Sequence, residues 1–164
     1  MRLIVEGPDG VGKTTIVKQL AEHFNCDILH MTEHGSKRLS DYQMKAFLDN
    51  VISDRSFLSE LVYTQVFNRE NPINVHEYEE LIKQYQSKGW MIIILDASTK
   101  CLTERLNLRG DEDEYKVKNI ADLRMFYRAL AYFYDLPLIN TEDLIIEDLI
   151  KDLEEGKHAA HHCE

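Results

Sequence analysis

The chain has 164 residues, 44% of them apolar and 29% charged, with a formal net charge of −10. That composition fits one globular domain with a core of useful size and excludes a disordered chain. The acidic balance opposes binding to a nucleic acid polymer, no apolar run is long enough to span a bilayer, and the apolar stretch Leu3 to Val5 does not read as a signal peptide, so a cytoplasmic protein is expected.

Taken in chain order, residues 2–6 read as a short apolar strand that runs into a glycine-rich loop. Residues 13–24 follow as a helix, with Ile16, Val17, Leu20, Ala21 and Phe24 on one face. A second strand is predicted over 26–31, then a helix over 41–50 with Asp41 as its N-cap. Residues 51–54 form a third strand, and helices are predicted over 56–68 and 75–86. The continuous apolar run 90–95 suits a strand buried on both faces. Helices over 99–108 and 118–134, a last strand over 137–140 and a closing helix over 142–154 complete the pattern. Strand and helix alternate about five times, which predicts an α/β fold: a five-stranded parallel sheet with helices on both faces. No repeat or linker divides the chain, so residues 1–155 read as one domain and 156–164 as a disordered tail. Cys26, Cys101 and Cys163 show no paired spacing and are expected to be reduced thiols.

Ligands of such sheets bind at the carboxyl ends of the strands, and the motifs fall there. Gly7-Pro8-Asp9-Gly10-Val11-Gly12-Lys13-Thr14 matches a P-loop, preceded by a strand and opening a helix. Its glycines let backbone N–H groups turn inward onto phosphate oxygens, and the helix N-terminus adds positive potential. Lys13 is the expected cation for the β- and γ-phosphates, Thr14 the hydroxyl ligand of Mg²⁺, and Val11 and Thr15 complete the nucleotide cradle. The chain is therefore expected to use ATP with Mg²⁺.

Two strand-end aspartates compete for the metal side, Asp54 and Asp96. Asp96 has the position of a Walker B residue or of a simple strand-end cap. Asp54-Arg55 suits a small-molecule kinase, with the carboxylate on hydrated Mg²⁺ and the guanidinium forked onto an acceptor phosphate. No Asn-Lys-x-Asp guanine signature supports a GTPase. Arg105 and Arg109, four apart on one helix and followed by the acidic run 111–114, read as lid arginines for the transferring phosphoryl group.

These residues resemble the thymidylate kinase family over most of the chain. Glu6 to Thr15 looks like that family's P-loop, Thr32-Glu33-His34-Gly35 like its turn after the second strand, and Asp54-Arg55 with Ser59 and Tyr63 matches its spacing. Thr32 and His34 depart from the pattern. The resemblance implies a P-loop kinase fold with a short lid and phosphorylation of a deoxynucleoside monophosphate such as dTMP or dUMP to the diphosphate. It also implies a homodimer. Asp9 would accept a hydrogen bond from the acceptor sugar's 3′-hydroxyl, Arg55 would hold the acceptor phosphate, Asp54 would organise the metal, and Tyr63 would lie against the deoxyribose. Tyr42 and Phe47 are the candidates for stacking on the acceptor base.

Asp54-Arg55-Ser56 also resembles the Glu-Arg-Ser motif of deoxynucleoside kinases, with Glu60 in a fitting place. Glu33 would then be the base that deprotonates a 5′-hydroxyl. A nucleotide-binding regulatory protein without turnover is the alternative from another class. His158, His161, His162 and Cys163 could bind a metal, but an unpatterned terminal tail is the simpler reading. Arg124 is expected on the adenine or lid, or in an ion pair with Asp122 or Glu112.

Overall fold

A computed structural model describes residues 1–31, 38–110 and 117–156. In chain order the elements are β1 (Arg2–Glu6), α1 (Lys13–Phe24), β2 (Asp27–His30), α2 (Leu39–Lys45), β3 (Val51–Asp54), α3 (Phe57–Val66) and α4 (Val75–Ser87). They continue with β4 (Met91–Asp96), α5 (Thr99–Leu108), α6 (Ile120–Phe133), β5 (Leu138–Asn140) and α7 (Ile146–Glu154). All five strands are parallel, in the order β2-β3-β1-β4-β5. β1 lies at the centre, and its residues Leu3, Ile4 and Val5 are fully buried. Enclosing such aliphatic side chains is worth about 1.5–3 kcal/mol each, which explains why the central strands read as unbroken apolar runs.

α1 packs against β1, β2 and β3 and meets α7, while α3 and α5 pack on α6, which lies on β4. From β1 the chain passes outward to β2, returns to β3 and then crosses to β4 on the far side of β1, which makes β1 the topological switch. The loop after β1, where Gly7 to Gly12 sit, therefore opens between the carboxyl ends of β3 and β4. Gly7 is required there. Its φ is +143°, and a Cβ would lie 2.5 Å from the Leu95 carbonyl oxygen on β4.

Several predicted boundaries move, and for three of them the local reason is visible. α2 starts two residues earlier than predicted, with extended Arg38 at its N-cap, and Asp41 sits within the first turn. It stops at Lys45 because the chain must turn into β3. Asn50 adopts φ +52° there, and its amide donates to the Asn25 carbonyl, at the matching turn into β2. α7 begins at Ile146 because Glu142 is held in the turn after β5. Its carboxylate accepts from Ser98 N, and its own N–H donates to Asn140 Oδ1 at 3.1 Å.

Among the described residues, no helix is long and apolar enough to cross a membrane. Glu33, the 111–114 run, His158, His161, His162 and Cys163 lie outside the described residues, as does all of the tail beyond Gly156.

Candidate active site

The phosphate loop is held ready at the end of β1. α1 opens at Lys13 from Gly12, whose φ of +97° turns the chain into the helix. Lys13 is 7% exposed, so it does not face solvent as its motif role suggests. Its Nζ instead donates to the carbonyls of Gly7 and Pro8 at 2.7 and 2.8 Å. Burial lowers its pKa to about 7, with a further push from Arg55, against the opposing pull of Asp9, Glu6 and Asp54. The loop thus keeps the Lys13 amine folded onto its own carbonyls, where an arriving phosphate can collect it.

On one side of Lys13, Thr14 Oγ1 donates to Asp54 Oδ2 at 2.9 Å, and His30 Nδ1 lies 3.4 Å from the same oxygen. Thr14 and Asp54 present hard oxygen donors at the opening of α1, a set that fits Mg²⁺. Among the described residues no group of three His, Cys, Asp or Glu could cage a metal. An Mg²⁺ bound here would take its remaining ligands from phosphates and water, as that ion ordinarily does.

Across the cleft stands a second polar group. Arg55 adopts φ +76°, unusual for a residue with a side chain, and its Nη2 donates to Asp9 Oδ1. Its Nη1 donates to Tyr63 Oη at 3.2 Å and reaches Ser59 Oγ at 3.4 Å. Tyr63 in turn donates to Asp9 Oδ2 at 2.7 Å. Asp9, Arg55, Ser59 and Tyr63, far apart in sequence, are brought into one network. A cavity of about 170 Å³ joins this network to the phosphate loop, with Asp9, Lys13, Thr14, Asp54, Arg55 and Arg109 among its walls.

A larger cleft of about 450 Å³ opens on the other side of the loop. Gly10, Val11, Gly12 and Thr15 form its floor and Arg105, Leu108, Arg109, Leu144 and Ile146 its walls. Arg105 is fixed by hydrogen bonds to Val11 O (3.3 Å), Thr141 Oγ1 (3.0 Å) and Thr141 O (3.2 Å). Arg109 lines both cavities. The two clefts meet at the loop, so a phosphate chain lying on the loop has a base-sized space at one end and Arg55 at the other.

Three sequence-based expectations change. Tyr42 is 3% exposed and packs edge-on to Phe57, its carbonyl taking the Tyr85 hydroxyl, so no ring face is open to a base. Phe47 is exposed and lies under Lys88 Nζ, 4.6 Å from the ring centroid, beside the amino end of β4 and away from the cleft. Neither ring lines the cavities beside the phosphate loop. Arg124 grips Asp96 through Nε and Nη2 at 2.8 and 3.0 Å, and Arg128 adds a third bond at 2.6 Å, while Glu112 lies outside the described residues. Asp96 is thereby an anchor for α6, its carboxylate gripped by two guanidinium groups from that helix.

Sequence reasoning passed over Glu6. It is fully buried at the end of β1, and its carboxylate accepts from Ser56 N (2.6 Å), Ser56 Oγ (2.7 Å), Ser59 N (3.1 Å), Ser59 Oγ (2.6 Å) and Tyr127 Oη (3.2 Å). The available signal was an acid ending an otherwise apolar central strand.

No family model matches the chain. Over 143 residues it is 27% identical to the guanylate kinase of Mycoplasma genitalium, a match covering 70% of this chain. The chain spans 58% of that relative's length. Among solved structures, the YorR protein of Bacillus subtilis in complex with phosphorylated GDP superposes with a TM-score of 0.80 at 24% identity, covering 100% of this chain and 99% of YorR. Deoxyadenosine kinase from M. mycoides, with products dCMP and a flexible dCDP bound, gives 0.64 at 20% identity, covering 95% of this chain and 98% of that one. Shikimate kinase from Bacteroides thetaiotaomicron gives 0.56 at 17% identity, with 94% and 97% covered. With the strand order β2-β3-β1-β4-β5 and the phosphate loop after β1, these likenesses establish that the chain has the P-loop NTPase fold of the small-molecule and nucleotide kinases.

Proposed function

We propose that the chain is an ATP-dependent nucleoside monophosphate kinase acting on deoxynucleotides, with dTMP and dUMP as its first acceptors. The observation that carries this reading is the Arg55–Asp9–Tyr63 network facing Lys13 and Asp54 across one small cavity. A guanidinium at that point can fork onto the phosphate of an acceptor, and Asp9 can take a sugar hydroxyl. The donor's base enters the larger cleft beside Arg105. Lys13, Arg105 and Arg109 balance the charge that spreads over the phosphoryl group in transfer. Mg²⁺, held by Thr14 and Asp54, neutralises donor phosphates when bound. Similarity to guanylate kinase supports a monophosphate acceptor and adds GMP and dGMP to the candidates.

A deoxynucleoside kinase is the second reading. It is favoured by the Arg55 guanidinium, which already has a carboxylate and two hydroxyls around it and so lacks an evident need for a phosphate. Glu33 would then supply the base. Product analysis with ATP and Mg²⁺ separates the two readings. The panel comprises dTMP, dUMP, dGMP, GMP, thymidine, deoxycytidine and deoxyadenosine. Diphosphate formation with the highest kcat/KM on a monophosphate is expected. A higher kcat/KM on a nucleoside replaces this proposal with the second, and no turnover on any acceptor leaves the nucleotide-binding regulator. Lys13→Met keeps the buried stem and removes the charge. It should fold and lose turnover by roughly 10²–10³-fold.

A further inference from the structure

Arg55 stands in a backbone conformation that its side chain disfavours, and something must hold it there. Left-handed residues other than glycine cost of order 1 kcal/mol or more and persist only where neighbours over-determine them. Two of the restraints are backbone ones. Arg55 N donates to Val5 O at 3.1 Å, and Ser53 Oγ donates to Arg55 O at 2.6 Å. The third is the buried carboxylate of Glu6. Its Oε1 receives the peptide N–H that follows Arg55, that of Ser56, at 2.6 Å, together with Ser56 Oγ and Ser59 N. Glu6 thus caps α3 from outside the helix, at the end where a negative charge is favoured.

Oε2 does a second job. Ser59 donates its single hydroxyl proton to it at 2.6 Å, which leaves the Ser59 lone pairs facing Arg55 Nη1, 3.4 Å away. Tyr127 on α6 donates to the same Oε2 at 3.2 Å and lies 3.0 Å from Ser59 Oγ. One buried carboxylate therefore fixes both the backbone and one edge of the guanidinium at Arg55, and ties both to α6.

We propose that Glu6 is the positioning residue for the acceptor arginine, acting on Arg55 through Ser56 and Ser59, an inference that rests on the kinase reading above. It touches no substrate itself. In Glu6→Gln one oxygen becomes an amide nitrogen. If that nitrogen takes the Oε2 place, it donates to Ser59 Oγ and occupies the acceptor site that Arg55 uses. If it takes the Oε1 place, it confronts the donor Ser56 N. The first case removes a fixed partner of the guanidinium, the second a restraint on the Arg55 backbone, and both remove a nearby negative charge.

The test is calorimetric binding of two probes by the full chain: the best monophosphate of the panel, and a non-hydrolysable ATP analogue with Mg²⁺. Glu6→Gln should weaken monophosphate binding about tenfold, the effect of one charge-assisted hydrogen bond, and change analogue binding by less than about twofold. In an Arg55→Ala background it should have no further effect on the monophosphate, because its route is already cut. Unchanged monophosphate affinity, a parallel loss for both probes, or an equal loss without Arg55 each overturns the proposal. A merely structural role predicts the parallel loss, since β1 leads directly into the phosphate loop. Should Glu6→Gln fail to fold, Ser59→Ala cuts the relay while keeping the Ser56 cap. It should give a smaller loss confined to the monophosphate, and no loss overturns the proposal. Wild-type protein that binds both probes but forms no diphosphate refutes the kinase reading, while the affinities still decide the role of Glu6. Wild-type protein that binds no monophosphate overturns both.

Discussion

Tyr63 shows how far one side chain can be taken. On α3, Ser56, Ser59 and Tyr63 follow at three- and four-residue steps and share a face. From spacing alone, that face serves equally well as a core contact or as the wall of a sugar site. The structure puts the Tyr63 hydroxyl on Asp9 and Arg55 and stacks the Arg55 guanidinium 5.2 Å from the ring centroid, so the ring packs behind two residues that line the small cavity. On the proposed reading, an acceptor whose 3′-hydroxyl sits on Asp9 would have that ring beside its C2′. Burying a hydroxyl without a partner costs about 1–3 kcal/mol, which corresponds to about tenfold to a hundredfold preference for deoxyribose. Tyr63→Ala should fold and raise the relative kcat/KM for ribo- over deoxy-acceptors by about tenfold or more. An unchanged ratio in the folded variant, or equal use of both sugars by the wild type, removes Tyr63 from the acceptor site.

At the scale of the elements, local chemistry predicts most of what forms. α4 has a reciprocal cap: Asn74 Oδ1 accepts from Glu77 N at 3.0 Å, and Glu77 Oε2 accepts from Asn74 N at 2.8 Å. Asn74→Ala should cost about 1 kcal/mol and lower the melting temperature by a few degrees, read by thermal unfolding, with nucleotide binding unchanged. No change in melting temperature would show that the packing of Tyr78, Leu81, Ile82 and Tyr85 holds α4 by itself. The same logic explains what was legible in advance. The apolar runs of β1 and β4 and the one-faced pattern of α1 are properties of single segments, and α1 and α5 begin and end where the pattern predicts. The surroundings of Tyr42, Phe47 and Arg124 were not legible in advance because other segments set them. Phe57 and Tyr85 enclose Tyr42, Lys88 covers Phe47, and Asp96 draws Arg124 across from a strand end. Glu6 escaped notice for the same reason, as all five of its donors come from α3, its cap and α6.

Across the whole molecule, the site draws on the stability that the sheet provides. Lys13 is a buried cation with a pKa near 7, whereas in the unfolded chain it titrates near its ordinary 10.5. Between those values the unfolded state binds more protons than the folded state, so stability rises with pH across that window. Below about pH 7 Lys13 is charged in both states, and the folded protein carries the full desolvation cost. Buried tyrosines act in the opposite sense at higher pH. Burial pushes Tyr42 up to about 12 and raises Tyr63, Tyr78 and Tyr85 as well. The unfolded chain releases those protons from about pH 10 while the folded chain retains them, so stability falls above that point. The nucleotide-free protein should therefore be most stable on the alkaline side of neutrality, between about pH 8 and 10. Urea unfolding at a series of pH values measures this directly. Lys13→Met should flatten the rise above pH 7 and keep the fall above pH 10, and a wild-type rise that survives in Lys13→Met would assign it to another group. Nucleotide binding supplies a matching readout. Phosphates beside Lys13 favour its charged form, so above pH 7 ATP should bind with net uptake of protons. Calorimetry in buffers of different ionisation enthalpy would record that uptake. Its absence would mean that Lys13 is already charged on the loop carbonyls before the nucleotide arrives.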